Sequence, residues 1–142
     1  MNKNLNLDKH ISSQFNDDLE RVKTHVLAMG GLVEAQINDS ITALIEGNAS
    51  LAQKVRDKER AINSMELDID AECATILALR QPAASDLRLL IAALKSITDI
   101  ERMGDEAKRI ASFALKLLED GEAWTGYKEF NKIGERVRKM TS

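Results

Sequence analysis

The sequence has few of the residues that interrupt helices or build covalent frameworks. It contains one proline, one cysteine and only 4% aromatic residues among 142 residues. The single cysteine, Cys73, excludes an internal disulfide and suits a reducing cytoplasm. A chain of this length fits one domain with a modest core. Because 30% of the residues are charged and the apolar residues recur with helical spacing, the composition predicts an all-α protein.

Long apolar runs and an excess of positive charge are also lacking. The longest apolar run, residues 89–94, is far shorter than the roughly 20 residues that span a bilayer. The amino terminus has no apolar core of the kind found in signal peptides. The net charge of −3 argues against nucleic acid as the main partner. We therefore expect a cytoplasmic protein that reaches a membrane only through a partner.

Apolar residues at alternating spacings of three and four predict three long helices. The predicted helices cover residues 12–46, 50–79 and 86–119. Gly47-Asn48 separates the first two. Pro82 separates the last two, and Ser85 is the expected cap of the third helix. Because short connections favour antiparallel neighbours, we expect an antiparallel three-helix bundle over residues 1–120.

The first two predicted helices each carry one main apolar stripe. In the first helix, Gly30-Gly31 interrupts the stripe and predicts a kink or a tight helix contact. The expected core positions of the second helix are Leu51, Val55, Ile62, Met65, Ile69, Cys73, Ile76 and Leu79.

The third predicted helix carries two stripes, which indicates contact with more than one neighbour. One stripe consists of Leu89, Ala93, Ser96, Ile100, Met103, Ala107, Ile110, Ala114 and Leu117. The other begins with Leu87, Leu90, Leu94 and Ile97, becomes acidic at Glu101 and Asp105, and returns to Ala111, Leu115 and Leu118.

A fourth helical pattern starts near residue 122 and reaches Ser142 without a cap. Its apolar positions are Phe130, Ile133, Val137 and Met140. We expect residues 121–142 to be the truncated first helix of a second bundle. Because exposed apolar stripes usually mark contact sites, we also expect a homodimer or another homo-oligomer to cover this surface.

The segment Asp99–Asp105 combines two features that weaken a helix. Glu101 and Asp105 are like charges four residues apart, which costs roughly 0.2–0.5 kcal/mol. Gly104 costs about 1 kcal/mol relative to alanine. A cation or a closely approaching partner would offset both. Antiparallel packing brings an oxygen-rich row of the second helix to the same level. That row is Glu59, Asn63, Glu66 and Asp70.

Two interpretations of these acidic rows stay open. Facing oxygen ligands suit a hard divalent cation such as Mg²⁺, Mn²⁺, Ca²⁺ or Fe²⁺. The candidate metal ligands are Glu59, Asn63, Glu66, Glu101 and Asp105. The alternative is a solvated lattice in which Asp105 pairs with Arg109 and Arg102 pairs with Glu106. Charge rows are usual on helix surfaces, so the spacing alone favours the lattice.

Catalytic motifs are missing from the sequence. The two histidines, His10 and His25, have no glutamate three residues before them, which a ferritin-like di-iron centre needs. No glycine-rich phosphate loop is present. Cys73 lies in an apolar stripe, where packing is the expected role. We expect a protein that is not an enzyme.

Two segments of the sequence, Leu79–Arg88 and Asp99–Asp105, form a specific pair of motifs. They closely resemble the PhoU family of bacterial phosphate-signalling regulators. The resemblance implies two tandem three-helix bundles, each with a pair of Glu/Asp-x-x-x-Asp motifs that can hold metal. Glu101 and Asp105 match the motif on the third helix, and Glu59 and Asn63 match its counterpart, with Asn63 in place of an acid. The alternative acidic pair on the second helix is Glu66 and Asp70.

The resemblance also implies a function. Family members are non-enzymatic negative regulators of the phosphate-starvation response. They act with the ATPase of the phosphate ABC transporter and with a sensor histidine kinase. The alternative, from a different class, is a helical scaffold or metal-binding bundle without a phosphate role.

Overall fold

The computed structural model describes residues 2–120, 133–136 and 138–139, with side chains from residue 13 onward. It contains three helices: α1 (Asn2–Glu46), α2 (Ala49–Arg80) and α3 (Ala84–Asp120). Each helix packs against the other two, and the described part of the chain contains no strand. The predicted all-α class and the three-helix bundle are confirmed.

The connections between the helices follow the turn residues of the sequence. Gly47 ends α1 in the left-handed region at a φ of 64°, where glycine is favoured. Asn48 then caps α2, because its side-chain oxygen accepts a hydrogen bond from the Leu51 amide at 3.1 Å. The expected cap at Ser85 is wrong. The Ala83 carbonyl already accepts the Leu87 amide at 2.9 Å, so α3 begins before Ser85.

The bundle core has two parts of different character. The first is built from large side chains, of which the fully buried ones include Met29, Ile62, Ile69, Leu90 and Ile97. The second is built mainly from alanine, and its buried members are Ala43, Ala52, Val55, Ala107, Ala111 and Ala114. Cys73 is buried in the first part, as predicted. Because alanine side chains are small, the helices can approach one another closely in the second part of the core.

Up to Met103, the stripe of α3 that becomes acidic supplies the most deeply buried side chains, whereas Ala107 and Ala114 of the other stripe are buried farther along the helix. Leu90 and Ile97, from the stripe that becomes acidic, are fully buried, whereas Leu89 and Met103 are 48% and 50% exposed. In α2, the predicted core residue Leu79 is 68% exposed. In a three-helix bundle both neighbours lie on the same side of each helix. Residues at the edge of an apolar stripe therefore remain exposed to solvent.

The fourth helical pattern is described only in part. Residues 133–136 and 138–139 are helical, and Ile133 is exposed. The side-chain nitrogen Nη2 of Arg138 donates to Oγ1 of Thr42 on α1 at 2.6 Å. Phe130, Val137 and Met140 lie outside the described residues. The domain boundary at residue 120 and the homo-oligomer stay predictions.

Candidate functional site

The groove between α2 and α3 brings together four of the five predicted site residues. Glu59 and Glu66 come from α2, and Glu101 and Asp105 come from α3. Glu59 is buried, and the other three are half-buried. The fifth, Asn63, is exposed. We call these four carboxylates the acidic groove.

The carboxylates of the acidic groove act on one another electrostatically. Burial raises the pKa of Glu101, and the charge of Asp105, a hydrogen bond with Asp105 and the charges of Glu66 and Glu59 raise it further. Burial also raises the pKa of Glu66, as do the charges of Asp70 and Asp105. The groove therefore concentrates negative charge that the fold does not fully neutralise.

One lysine provides the cationic contact to the groove. The ammonium nitrogen Nζ of Lys108 lies 2.9 Å from Oε2 of Glu59. The predicted pairing of Asp105 with Arg109 is wrong, because Arg109 donates instead to Glu106 at 2.8 Å, on the exposed side of α3. This ion pair therefore lies beside the groove, and Asp105 shares a hydrogen bond with Glu101.

Gly104 forms the floor beneath these side chains. A Cβ atom placed there would lie 3.6 Å from Cγ2 of Val33 and 3.8 Å from Cγ2 of Ile62, which is ordinary van der Waals contact. Gly104 is buried between the other two helices. These distances leave room for a Cβ atom, so packing against α1 and α2 does not by itself require a glycine at this position.

The donor chemistry of the groove fits a hard cation, since all four groups are carboxylates. Within the described ranges, however, no group of three or more His, Cys, Asp or Glu side chains is arranged to hold a metal ion. Binding would require the carboxylates to turn toward one another. The metal assignment made from the sequence stays a prediction.

The sequence analysis did not predict two further polar clusters. At one end of the bundle, Nε of Arg80 lies 3.0 Å from Oδ2 of Asp18 and Nη1 of Arg80 donates to Gln14 at 2.9 Å. Arg21 also pairs with Asp18. The only sequence signal was the place of Asp18 beside the buried stripe of α1.

The second missed cluster joins α1 to α2 nearer the middle. Nδ1 of His25 lies 2.8 Å from Oε2 of Glu72. The two residues are 47 positions apart, and no local pattern connects them.

None of the described helices has both the length and the apolar character needed to cross a bilayer.

Comparison with known proteins gives consistent matches. The family model "PhoU domain" matches residues 26–114, which is more than half of the chain. A phosphate-specific transport system accessory protein PhoU homolog from Pseudomonas putida is 58% identical over 134 residues, covering 94% of this chain and 52% of that protein. The Escherichia coli K12 PhoU protein is 48% identical over 112 residues, covering 79% and 46%.

A solved structure agrees with these sequence matches. The crystal structure of PhoU from Pseudomonas aeruginosa matches with a TM-score of 0.77 and 56% identity, covering 89% of this chain and 60% of that one. The chain spans about half the length of the curated relatives it matches. The resemblance seen in the motifs is confirmed, and the chain belongs to the PhoU family.

Proposed function

We propose that this chain serves as an accessory protein of phosphate-specific transport, and that it helps to keep phosphate-starvation genes off when phosphate is plentiful. The match to the PhoU domain over residues 26–114 carries the proposal. The names of relatives that are 48–58% identical point to the same transport system.

In this proposal the chain acts in the cytoplasm, without catalysis, by binding the ATPase of the phosphate ABC transporter and a sensor histidine kinase. A regulator of this kind shifts an equilibrium only by binding one state of its partner more tightly than another. The exposed side of α3, with the apolar residues Leu89 and Met103, offers one such surface. The acidic groove on the adjoining face adds charge that a basic partner would recognise.

A reporter of phosphate-starvation genes tests this function in the host. Deletion of the gene should switch the reporter on in high phosphate, and the intact gene should restore repression. Capture of the transporter ATPase and the kinase by the purified protein, with and without phosphate, would test the partners. A reporter that stays repressed after deletion would instead favour a scaffold without a phosphate role.

As a second candidate function, we propose that the acidic groove binds a divalent cation such as Mg²⁺, Mn²⁺, Ca²⁺ or Fe²⁺. Support comes from the raised pKa values of Glu66 and Glu101, which are due first to burial and then to the charges of neighbouring carboxylates, since a cation would relieve the repulsion between the carboxylates. Glu59 and Asp105 would supply the other oxygen ligands.

Titration with Mn²⁺ tests the cation proposal. The Glu101→Gln/Asp105→Asn double variant should bind Mn²⁺ at least tenfold more weakly than the unaltered protein. A matched control is Asp99→Asn/Glu106→Gln, which removes the same charge from exposed positions of α3. Equal binding by the unaltered protein and both double variants would exclude the groove as the site.

A further inference from the structure

The groove between α2 and α3 continues past the acidic groove toward the connection between the two helices. One row of α3 residues lies on the side that faces α2, because its member Lys108 contacts Glu59 there. At alternating spacings of four and three, the row consists of Leu87, Ile91, Leu94, Thr98, Glu101, Asp105 and Lys108. Its first three members are apolar, and its two carboxylates belong to the acidic groove. The row therefore changes from apolar to acidic along one groove.

The facing row of α2 changes in the same way. The oxygen-rich row that starts at Glu59 continues past Asp70 with Ala74 and Leu77, at spacings of four and three. The contact of Glu59 with Lys108 shows that residue numbers at the same level of the two helices add up to about 167. Ala74 and Leu77 therefore lie level with the apolar part of the α3 row. We call the apolar part of the groove the apolar shelf; it consists of Ala74, Leu77, Leu87, Ile91 and Leu94.

The apolar shelf combines side chains that the core holds with side chains that the core leaves exposed. Leu77 and Leu94 are half-buried and pack against the larger part of the core. In contrast, Ile91 is 43% exposed and Leu87 is 36% exposed. Where the shelf meets the acidic groove, Leu67 of α2 is 68% exposed. Exposed apolar side chains that are grouped in this way usually mark a contact site.

The charge of the acidic groove decides which kind of partner suits the whole surface. Burial, and then the charges of neighbouring carboxylates, raise the pKa values of Glu66 and Glu101, so the groove carries negative charge in a partly desolvated place. Nucleic acid and anionic lipid would be repelled. A bare cation would leave the apolar shelf uncovered. A helix with apolar residues at one end and lysine or arginine at the other complements both parts.

We propose that the apolar shelf and the acidic groove together form a docking groove for an amphipathic helix of a partner protein. Apolar residues of that helix lie over the shelf, and its basic residues lie over the carboxylates. The α3 row from Leu87 to Asp105 spans about 27 Å, which corresponds to a helix of about 18 residues. The proposal rests on the part of the proposed function in which the chain acts by binding partners, and it does not depend on the phosphate role.

Synthetic helical peptides test the docking groove on the unaltered 142-residue chain. Each peptide has about 20 residues on an alanine background, with leucines in one half and lysines in the other at spacings of four and three. Both orders of the halves are used, because a groove between antiparallel helices does not fix the direction of its occupant. Matched control peptides carry glutamate in place of lysine. Fluorescence anisotropy should show that a lysine peptide binds at least tenfold more tightly than its glutamate control, and 0.5 M salt should reduce this difference.

A substitution in the apolar shelf tests the apolar half of the contact. Ile91→Asn should weaken binding of the lysine peptide at least fivefold. The control is Leu27→Asn, at a leucine of α1 that is 75% exposed, and it should bind the peptide like the parent protein.

Substitutions in the acidic groove test the charged half. Glu101→Gln/Asp105→Asn should also weaken binding at least fivefold and should reduce its dependence on salt. Asp99→Asn/Glu106→Gln removes the same charge from exposed positions of α3 and should weaken binding less than twofold.

Two results would overturn the docking groove. One is equal binding of the lysine and glutamate peptides by the unaltered chain. The other is binding that the acidic-groove variant weakens but Ile91→Asn does not, since such a contact would be electrostatic alone. The reporter of phosphate-starvation genes uses none of these peptides, so a failure of the docking groove is distinguishable from a failure of the regulatory role.

Discussion

The bundle holds two charge clusters that are built in opposite ways. At the end near the α2–α3 connection, Asp18 is buried and contacts two arginines, Arg80 and Arg21. In the acidic groove, the ammonium group of Lys108 contacts Glu59, and the charges of Asp105, Glu66 and Glu59 act on Glu101. The first cluster satisfies its charges within the fold, whereas the second leaves negative charge unneutralised.

The cluster around Asp18 therefore stabilises the fold, whereas the acidic groove lowers the stability of the fold. A buried ion pair matters to stability mainly because removal of one partner leaves the other charge buried without a partner. Carboxylates whose pKa values are raised by burial and by one another work against folding at neutral pH. A groove that retains such a cost is the better candidate for binding something outside the bundle.

The largest expected effect comes from breaking the balanced cluster. Asp18→Ala leaves Arg80 half-buried without its carboxylate and should lower the free energy of unfolding by about 1.5–3 kcal/mol, the range for hydrogen bonds to charged groups. Urea unfolding measures the change. The neighbouring Asp17→Ala is the control, because Asp17 is exposed and should change stability by no more than about 0.5 kcal/mol. Equal effects of the two substitutions would contradict a structural role for this cluster.

Substitution of Gly104 tests the floor of the acidic groove. Gly104→Ala should raise the free energy of unfolding by about 0.5–1 kcal/mol, because the added Cβ has ordinary contacts and alanine favours the helix. Gly104→Val should lower it by about 1–3 kcal/mol through overpacking against Val33 and Ile62. Thermal unfolding compares both with the parent protein. A loss of stability with alanine would show that α3 packs more tightly than these distances indicate.

Removal of the groove's lysine should sharpen the contrast between the clusters. Lys108→Met keeps a long side chain but leaves Glu59 without its cation, and should lower the free energy of unfolding by about 0.5–1 kcal/mol. Lys95→Met, at an exposed position of α3, is the matched control and should be close to neutral. If 0.5 M salt left the difference between the two variants unchanged, the effect would not be electrostatic.

The smallest expected effect is a gain in stability from Glu101→Gln. Because the folded-state pKa of Glu101 is raised, mainly by burial and then by Asp105, its contribution favours folding below the ordinary pKa and is lost as the pH rises through the raised value. At pH 7 the variant should therefore unfold about 1–2 °C higher than the parent. Below the ordinary glutamate pKa of 4.5, where the carboxyl group is protonated in the folded and the unfolded protein alike, the two should converge. The control Glu106→Gln, at an exposed position that pairs with Arg109, should not raise the melting temperature.

Much of the architecture could be predicted because it depends on residues close together in sequence. Alternating apolar spacing located three helices, and Gly47-Asn48 and Pro82 placed the connections. Short connections made α2 and α3 antiparallel, which was enough to bring Glu59 and Glu66 opposite Glu101 and Asp105. These conclusions follow from helix geometry and turn chemistry alone.

Other features were decided only when the three helices packed together. Periodicity shows which residues of α3 share a face, but the rotation of α3 about its axis decides that Leu90 is buried and Leu89 is exposed. The pairs Asp18–Arg80 and Lys108–Glu59 join residues 62 and 49 positions apart, so no local pattern predicts them. The sequence by itself determined the helices and the facing acidic rows. The tertiary structure decided which charges are neutralised, because that depends on distances between helices rather than on spacing within one.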